Sequence, residues 1–370
     1  MVGGVVGVVA LGDLKFLWQD AGGGSEVPTM SRMSRYSRQI LLPEIGPAGQ
    51  ERLAMARVLL LGCGALGCTI ADLLVRSGVG FVRIVDRDVV EPSNLQRQTL
   101  FSEADAREGL PKAVAAARRL QQVNREVTIE PHVVDVHSGN LPSLTEGTEL
   151  LLDGTDNVAT RYLINDLAVK LGLAWIYGAC VGVEGRVMPI LPGRGPCLRC
   201  VFPHPPRPGE LPTCDTVGVL GPAAGVVASW QTAIALRLLV EGSAPLRLVR
   251  IDLWSQSVRT TDVGSARDPA CPCCGLKSWE FLNRGYAGEV SLCGQRAVQV
   301  RPVASGRVDL SQLARRLAAV AEIQINEYVL RLQVNGLPFR ITVFRDGRAI
   351  VQGTSDPVEA RRLYDRFIGG

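Results

Sequence analysis

Four cysteines are grouped in two Cys-x-x-Cys pairs, Cys197-Leu198-Arg199-Cys200 and Cys271-Pro272-Cys273-Cys274, which stand 74 residues apart. Each pair offers two sulfurs to one ion, and four thiolates suit tetrahedral zinc. So long an insert is unlike a small zinc finger and reads as a staple between two remote segments of a larger fold; the plain alternative is a set of buried thiols. Cys273 makes the register of the second pair ambiguous. A second centre lies upstream, where Gly62-Cys63-Gly64-Ala65-Leu66-Gly67 has the spacing of a phosphate-binding turn. Its glycines permit a tight turn and a close backbone approach to an anion. A third group of residues is polar: Asp86, Asp88, Asn94, Arg97, Lys112 and Asp156.

The elements that must position these residues are legible around them. Residues 58–61 form a short apolar run, as expected of a buried parallel strand, and residues 68–76 read as a helix. Strand, glycine turn and helix together predict a Rossmann-like α/β fold, whose default ligand is NAD. Residues 82–86 are the second strand, with Asp86 at its end placed to bind ribose hydroxyls. The residues beyond Asp86 depart from a dehydrogenase. Arg97 and Lys112 could neutralise charge on a triphosphate, as in nucleotidyl transfer. Residues 150–152 read as a third apolar strand running into Asp153-Gly154-Thr155-Asp156-Asn157. A carboxylate there suits Mg²⁺, which takes one or two carboxylates plus phosphate oxygens.

The chain has 370 residues, 46% of them hydrophobic, enough for a large core. A formal charge of +4, from 40 basic and 36 acidic residues spread along the chain, gives no argument for a nucleic-acid partner. Ten cysteines point to metal or redox chemistry in a reducing, cytoplasmic setting. No uninterrupted apolar run reaches the roughly 20 residues of a spanning helix, so no membrane is expected. Residues 1–33 are apolar without a basic n-region, then Gly-rich, and read as a disordered or mis-called extension.

With these residues in view, the chain resembles the ThiF/MoeB/HesA family of ubiquitin-activating-enzyme-like adenylyltransferases. The matching stretches are 35–40, 62–67, 86–98, 109–112, 153–157, 178–185, 197–200, 213–214 with 218–225, and 271–275. The resemblance implies a domain over 34–280 with a mixed sheet and a structural zinc, and a small α+β accessory domain over 285–370. It implies ATP-dependent adenylation of the C-terminal glycine of a sulfur carrier of the MoaD or ThiS type that ends in Gly-Gly, for molybdopterin or thiamine biosynthesis. Gly62, Gly64 and Gly67 would line the phosphates and Asp86 would bind ribose, with Asp88 beside it. Asn94, Arg97 and Lys112 would hold the phosphates, Asp156 would bind Mg²⁺, and Arg38 would reach in from the partner protomer of a homodimer. The carrier tail would pass the 178–185 segment toward Asp156. Cys197, Cys200, Cys271 and Cys274 would form a closed, structural zinc site, with Cys273 a bystander. Cys214 aligns with a cysteine that some relatives use in sulfur transfer, fed by a cysteine desulfurase or rhodanese; the plain alternative is a small loop residue. An NAD-dependent oxidoreductase and a non-catalytic zinc-stapled scaffold are the rival readings.

Other residues carry less. Cys63, Cys68 and Cys180 read as small core hydrophobes, and His132, His137 and His204 as surface or loop residues. Trp254, following the apolar residues 248–253, reads as core, and Arg259 as part of a solvated edge. Beyond Trp279 the pattern predicts strand, helix, three strands and helix, with Cys293 on a short segment that is not a rhodanese loop. This order is not that of a β-grasp carrier, so Gly369-Gly370 reads as a helix stop rather than a self-substrate tail.

Overall fold

The computed structural model describes residues 34–206, 210, 213–284, 289–292, 296–302 and 307–369. The expected extension over 1–33, much of the loop around 202–212, Cys293 and Gly370 lie outside the described residues.

An eight-stranded sheet has the order β3-β2-β1-β4-β5-β6-β7-β8. Its first five strands are parallel: β1 (Arg57–Leu61), β2 (Phe81–Val85), β3 (Thr128–His132), β4 (Leu150–Asp153) and β5 (Ala174–Val181). The chain then continues antiparallel through β6 (Glu184–Ile190), β7 (Arg247–Asp252) and β8 (Ser257–Asp262). The apolar run of β1 is central and covered on both faces. Val58 and Leu60 join one core cluster while Leu59 and Leu61 join another, as the alternation of a strand requires. Helices Ala65–Arg76 and Gly221–Glu241 belong to the first layer and Val158–Leu171 to the second. Because β2 and β4 lie on opposite sides of β1, the strand order reverses there. A crevice must open outside the C-terminal ends of β1 and β4.

One expectation is corrected and two are refined. The third apolar strand, residues 150–152, is the fourth strand of the chain, β4. β3 lacks an apolar run because it is an edge strand carrying Glu130 and Pro131. Gly221–Glu241 is long and apolar enough to span a membrane by length and composition, although scattered polar residues break its apolar run. It packs against helix Ala65–Arg76 and strands β5 and β6, with Gln231 and Thr232 buried inside. Trp254 is 78% exposed, because β7 ends at Asp252 and Trp254 lies in the turn to β8, where its backbone N–H donates to Asp252 Oδ1. The solvated edge at Arg259 is found on β8.

A second sheet, antiparallel throughout, has the order β11-β12-β13-β14-β10-β9. It contains β9 (Glu289–Leu292), β10 (Ala297–Val300), β11 (Ala321–Ile325), β12 (Val329–Val334), β13 (Arg340–Phe344) and β14 (Ala349–Gln352). Asp309 and Asp356 cap helices Leu310–Leu317 and Pro357–Phe367. Leu313 and Tyr364 on these helices share a core with Val298, Leu330 and Ile341 on one face of the sheet. The expected strand–helix–three strands–helix order is present, with β9 and β11 added. Gly369, at φ +101°, follows the last helix and donates to the Tyr364 carbonyl, a helix stop.

Candidate active site

The glycine turn is built by three backbones in contact. Gly62 has φ +89°, and a Cβ there would lie 2.5 Å from the Gly154 carbonyl oxygen. A Cβ on Gly67 would lie 2.0 Å from the Gly62 oxygen. The helix start, the β1 turn and the β4 turn therefore interlock only without side chains. Gly62 and Gly64 line the crevice; Gly67 is not among its lining residues and serves the packing behind it.

Asp86 at the end of β2 is buried and faces the crevice. Its Oδ2 accepts from the Cys63 N–H at 2.6 Å and its Oδ1 from the Asp88 N–H at 2.8 Å, so it tethers the glycine turn. Burial pushes its carboxyl up, against the pull of Lys112. The segment after Asp88 returns to it. Val90 donates to the Leu110 carbonyl and Lys112 N–H to the Asp88 carbonyl, which sets Lys112 Nζ 3.2 Å from Asp88 Oδ2. Burial opposes charge on Lys112, but Asp88 and Asp86 outweigh it and raise its pKa, so the ammonium persists. Burial likewise works against Asp88, yet Lys112 and Arg87 hold it below the usual carboxylate range.

Asn94 and Arg97 line the same crevice from the 3₁₀ turn Pro92–Asn94 and the residues after it. Asn94 Oδ1 accepts from the Glu91 N–H, and Arg97 donates to the Ser93 carbonyl. Across the crevice, Asp153 is fully buried and pairs with Arg161 at 2.9 Å. It also accepts from the Thr155 N–H and hydroxyl, while Arg161 donates to the Thr155 carbonyl. This knot fixes the loop that presents Asp156, exposed, to the crevice. The site is thus a glycine turn flanked by the Lys112 ammonium, the Arg87 and Arg97 guanidiniums and the exposed Asp156 carboxylate, a set whose chemistry suits a polyphosphate.

Of the expected site residues, Gly62, Gly64, Asp86, Asp88, Asn94, Arg97, Lys112 and Asp156 converge on one crevice. Arg38 lies exposed on the short helix Ser37–Ile40 and is not among the lining residues. Cys214 opens the one-turn helix Cys214–Val217. Cys63 and Cys68 are buried core thiols; Cys180 is buried too, but it lines the crevice. Sequence reasoning gave no role to Arg87, Gln98 or Asp135, which also line it. Gln98 and Arg87 stood in the recognised stretch. Asp135 follows the edge strand that the apolar pattern did not reveal.

The sulfurs of Cys197, Cys200, Cys271 and Cys274 all lie within 4.8 Å of one another. The Cys197–Cys271 separation is 3.6 Å and the Cys200–Cys274 separation 3.3 Å, near the roughly 3.7 Å edge of a tetrahedron with Zn–S bonds of about 2.3 Å. Cys273 is outside this group of four but adjoins it: its sulfur accepts from Asn165 Nδ2 at 3.1 Å and hydrogen-bonds with Cys197. Asn165 Oδ1 in turn accepts from the Leu198 N–H, so this residue of helix Val158–Leu171 ties both cysteine pairs together.

The ThiF family pattern matches residues 36–273. The chain is 41% identical over 337 residues to the sulfur carrier protein ThiS adenylyltransferase of Bacillus subtilis, spanning 90% of this chain and 99% of the relative. It is 42% identical over 275 residues to the sulfur carrier protein adenylyltransferase of Thermus thermophilus, spanning 72% of this chain and 99% of that protein. Among solved structures, that of E. coli MccB with ATP shares the fold at TM-score 0.57 and 23% identity, over 66% of this chain and 73% of the other. On the family match and these identities, the chain is a member of the ThiF family.

Proposed function

We propose that this chain is an adenylyltransferase that uses ATP to activate the C-terminal glycine of a ubiquitin-like sulfur carrier. The observation that supports it most is the convergence of Gly62, Gly64, Asn94, Arg97, Lys112 and Asp156 on one crevice at the strand-order switch. In this reading the turn at Gly62 and Gly64 receives the phosphates and Asp86 the ribose. Asn94, Arg97 and Lys112 hold the phosphates. An oxygen of the carrier carboxylate bonds to the α-phosphorus as the bond to the bridging oxygen breaks, and pyrophosphate leaves with that electron pair. The product is carrier acyl-AMP. Lys112, kept charged by its acidic neighbours, offsets the negative charge that builds on the phosphates. The carboxylate is a weak nucleophile, so positioning supplies much of the rate. Asp156 would hold Mg²⁺, which would neutralise phosphate charge.

Arg38 would act from the partner protomer of a homodimer. Cys197, Cys200, Cys271 and Cys274 would bind zinc as a closed structural site, since four thiolates leave no open position. Residues 285–370 form an accessory domain beside the adenylation domain at 34–280. Cys214 is the candidate thiol for sulfur transfer, with a cysteine desulfurase or rhodanese as donor, in a reducing compartment such as the cytoplasm. The Bacillus relative's name makes a ThiS-type carrier the first to try, ahead of a MoaD-type carrier. A dehydrogenase would have no use for the Asn94, Arg97 and Lys112 group.

The test is ATP–pyrophosphate exchange against a panel of carriers ending in Gly-Gly. Exchange is expected only with a carrier present, and Asp156→Ala is expected to lower it by at least about tenfold. Carrier-independent nicotinamide binding without exchange would overturn the reading. Unchanged exchange in Asp156→Ala would remove the metal-ligand assignment alone.

A further inference from the structure

The C-terminal sheet turns its polar face inward. Along β10 and the residue after it, Val298 and Val300 enter the helix-covered core, while Ala297, Gln299 and Arg301 point the other way. An isolated sheet would leave that face in water. Here Gln299 is fully buried and Arg301, Thr342 and Arg348 are each less than 10% exposed, because the face lies against the first unit. Val89 and Val133 of the first unit join Ala297, Val329, Phe344 and Ile350 in one apolar cluster. Around it, Arg331 donates to the Val90 carbonyl, Asn326 to the Glu108 carbonyl and Gln352 to Glu91. Gly109 beside this contact has φ +62°, which favours glycine, and a Cβ there would lie 2.5 Å from the Arg331 guanidinium and displace it.

At the inner end of this face the contact reaches the crevice. Gln299 Nε2 donates to Asp135 Oδ2 at 2.8 Å, and Arg301 pairs with the same oxygen. The other oxygen of Asp135 accepts from Arg87 at 3.1 Å. Arg87 and Asp135 both line the crevice, next to Asp86 and flanked by Val134 and Val136. Val134 and Val136 after β3 and the planar Arg87 guanidinium after β2 thus line the crevice beside Asp86, surfaces whose chemistry would suit a flat base. The Thermus relative is matched over 99% of its length by 72% of this chain and the Bacillus relative over 99% of its length by 90%, so part of this chain is shared with the second and not with the first.

We propose that Gln299 and Arg301 are positioning residues for the nucleotide: they lock Asp135, Asp135 locks Arg87, and the C-terminal unit thereby sets the affinity of the crevice for the base end of ATP. This deepens the adenylyltransferase reading and rests on it for its substrate. Removing Arg301 takes the charged partner from Asp135 Oδ2 and leaves Gln299 as its donor there, so Asp135 and the Arg87 that it holds are positioned less firmly, while Lys112, Arg97 and Asp156 stay in place. The effect therefore falls on KM for ATP and not on kcat.

The experiment uses the full chain with its cognate carrier. Arg301→Leu is expected to raise KM for ATP about tenfold or more with kcat within about twofold, and Arg301→Lys to recover most of the loss. Gln324→Ala removes a contact of the same interface, to the Arg107 carbonyl, far along the sheet from Asp135. It is expected to leave KM unchanged. An unchanged KM in Arg301→Leu overturns the proposal, and so does an equal rise in Gln324→Ala, which would make the unit a general brace. Should Arg301→Leu not fold, Asp135→Asn carries the same expectation. If the wild-type chain shows no exchange with any carrier, the functional reading fails instead. Equilibrium titration with ATP alone then sorts the same variants by Kd.

Discussion

Gly67→Ala isolates the backbone packing that builds the glycine turn. Gly67 lies in helix Ala65–Arg76, so intrinsic propensity by itself favours alanine by about 1 kcal/mol. Against this, the new Cβ would stand 2.0 Å from the Gly62 carbonyl oxygen, where ordinary contact begins at 3.4 Å. The neighbour is main chain and cannot rotate away, so the helix must retreat by more than about 1 Å from the β1 turn. Overpacking of this kind costs about 1–3 kcal/mol, and an immovable neighbour places it at the upper end. The net expectation is a loss of about 2 kcal/mol, or a Tm lower by roughly 4–8 °C. ATP should also bind at least about tenfold more weakly, because the displaced turn is the one proposed to receive the phosphates. Gly225→Ala is the control. Gly225 lies in helix Gly221–Glu241 with nothing within 4 Å of the new methyl, so it should raise stability by about 0.5–1 kcal/mol. Thermal unfolding and an ATP titration of both variants decide the matter. A Gly67→Ala protein as stable as the Gly225→Ala protein, with unchanged ATP affinity, would refute the reasoning.

Two further predictions concern charge and metal. Asp135 is mostly buried, which alone would raise its pKa, but Arg87, Arg301 and Arg348 bring it down to about 2; His137 also faces it. A carboxyl held lower in the folded than in the unfolded chain stabilises above the unfolded pKa, so about 2 kcal/mol should fade as pH falls from about 4 toward 2. Urea unfolding across that range in Asp135→Asn, compared with wild type, should show the slope reduced; identical slopes would sink the assignment. For the cysteine staple, the purified protein should carry one zinc per chain, retained in Cys273→Ser and lost in Cys197→Ser, which should also unfold at lower temperature. Loss of metal from Cys273→Ser, measured by a chromogenic zinc assay, would move the ligand set.

How much was legible can be judged residue by residue. The apolar run at 58–61 and the glycine turn behind it were readable because a central parallel strand is buried on both faces and its turn has few chemical solutions. The second cysteine pair was readable as Cys271 with Cys274, the pairing whose sulfurs meet Cys197 and Cys200. The strand Thr128–His132 was not, since an edge strand need not be apolar, and Asp135 after it was missed for that reason. Trp254 was misplaced because an apolar run tells where a strand passes but not where it ends.

By itself, then, the chain's local pattern determined the nucleotide turn, the metal pairs, the succession of most elements and the family, because each of these rests on residues close together in sequence or on spacing. Only the tertiary structure decided which face of the C-terminal sheet is buried. The burial of Gln299 on β10 and of Arg301 and Arg348 beside the strands depends on a partner surface remote in the chain, as the Gln299–Asp135 separation of 164 illustrates. Alternation states that a strand has two faces; only packing states what each of them meets.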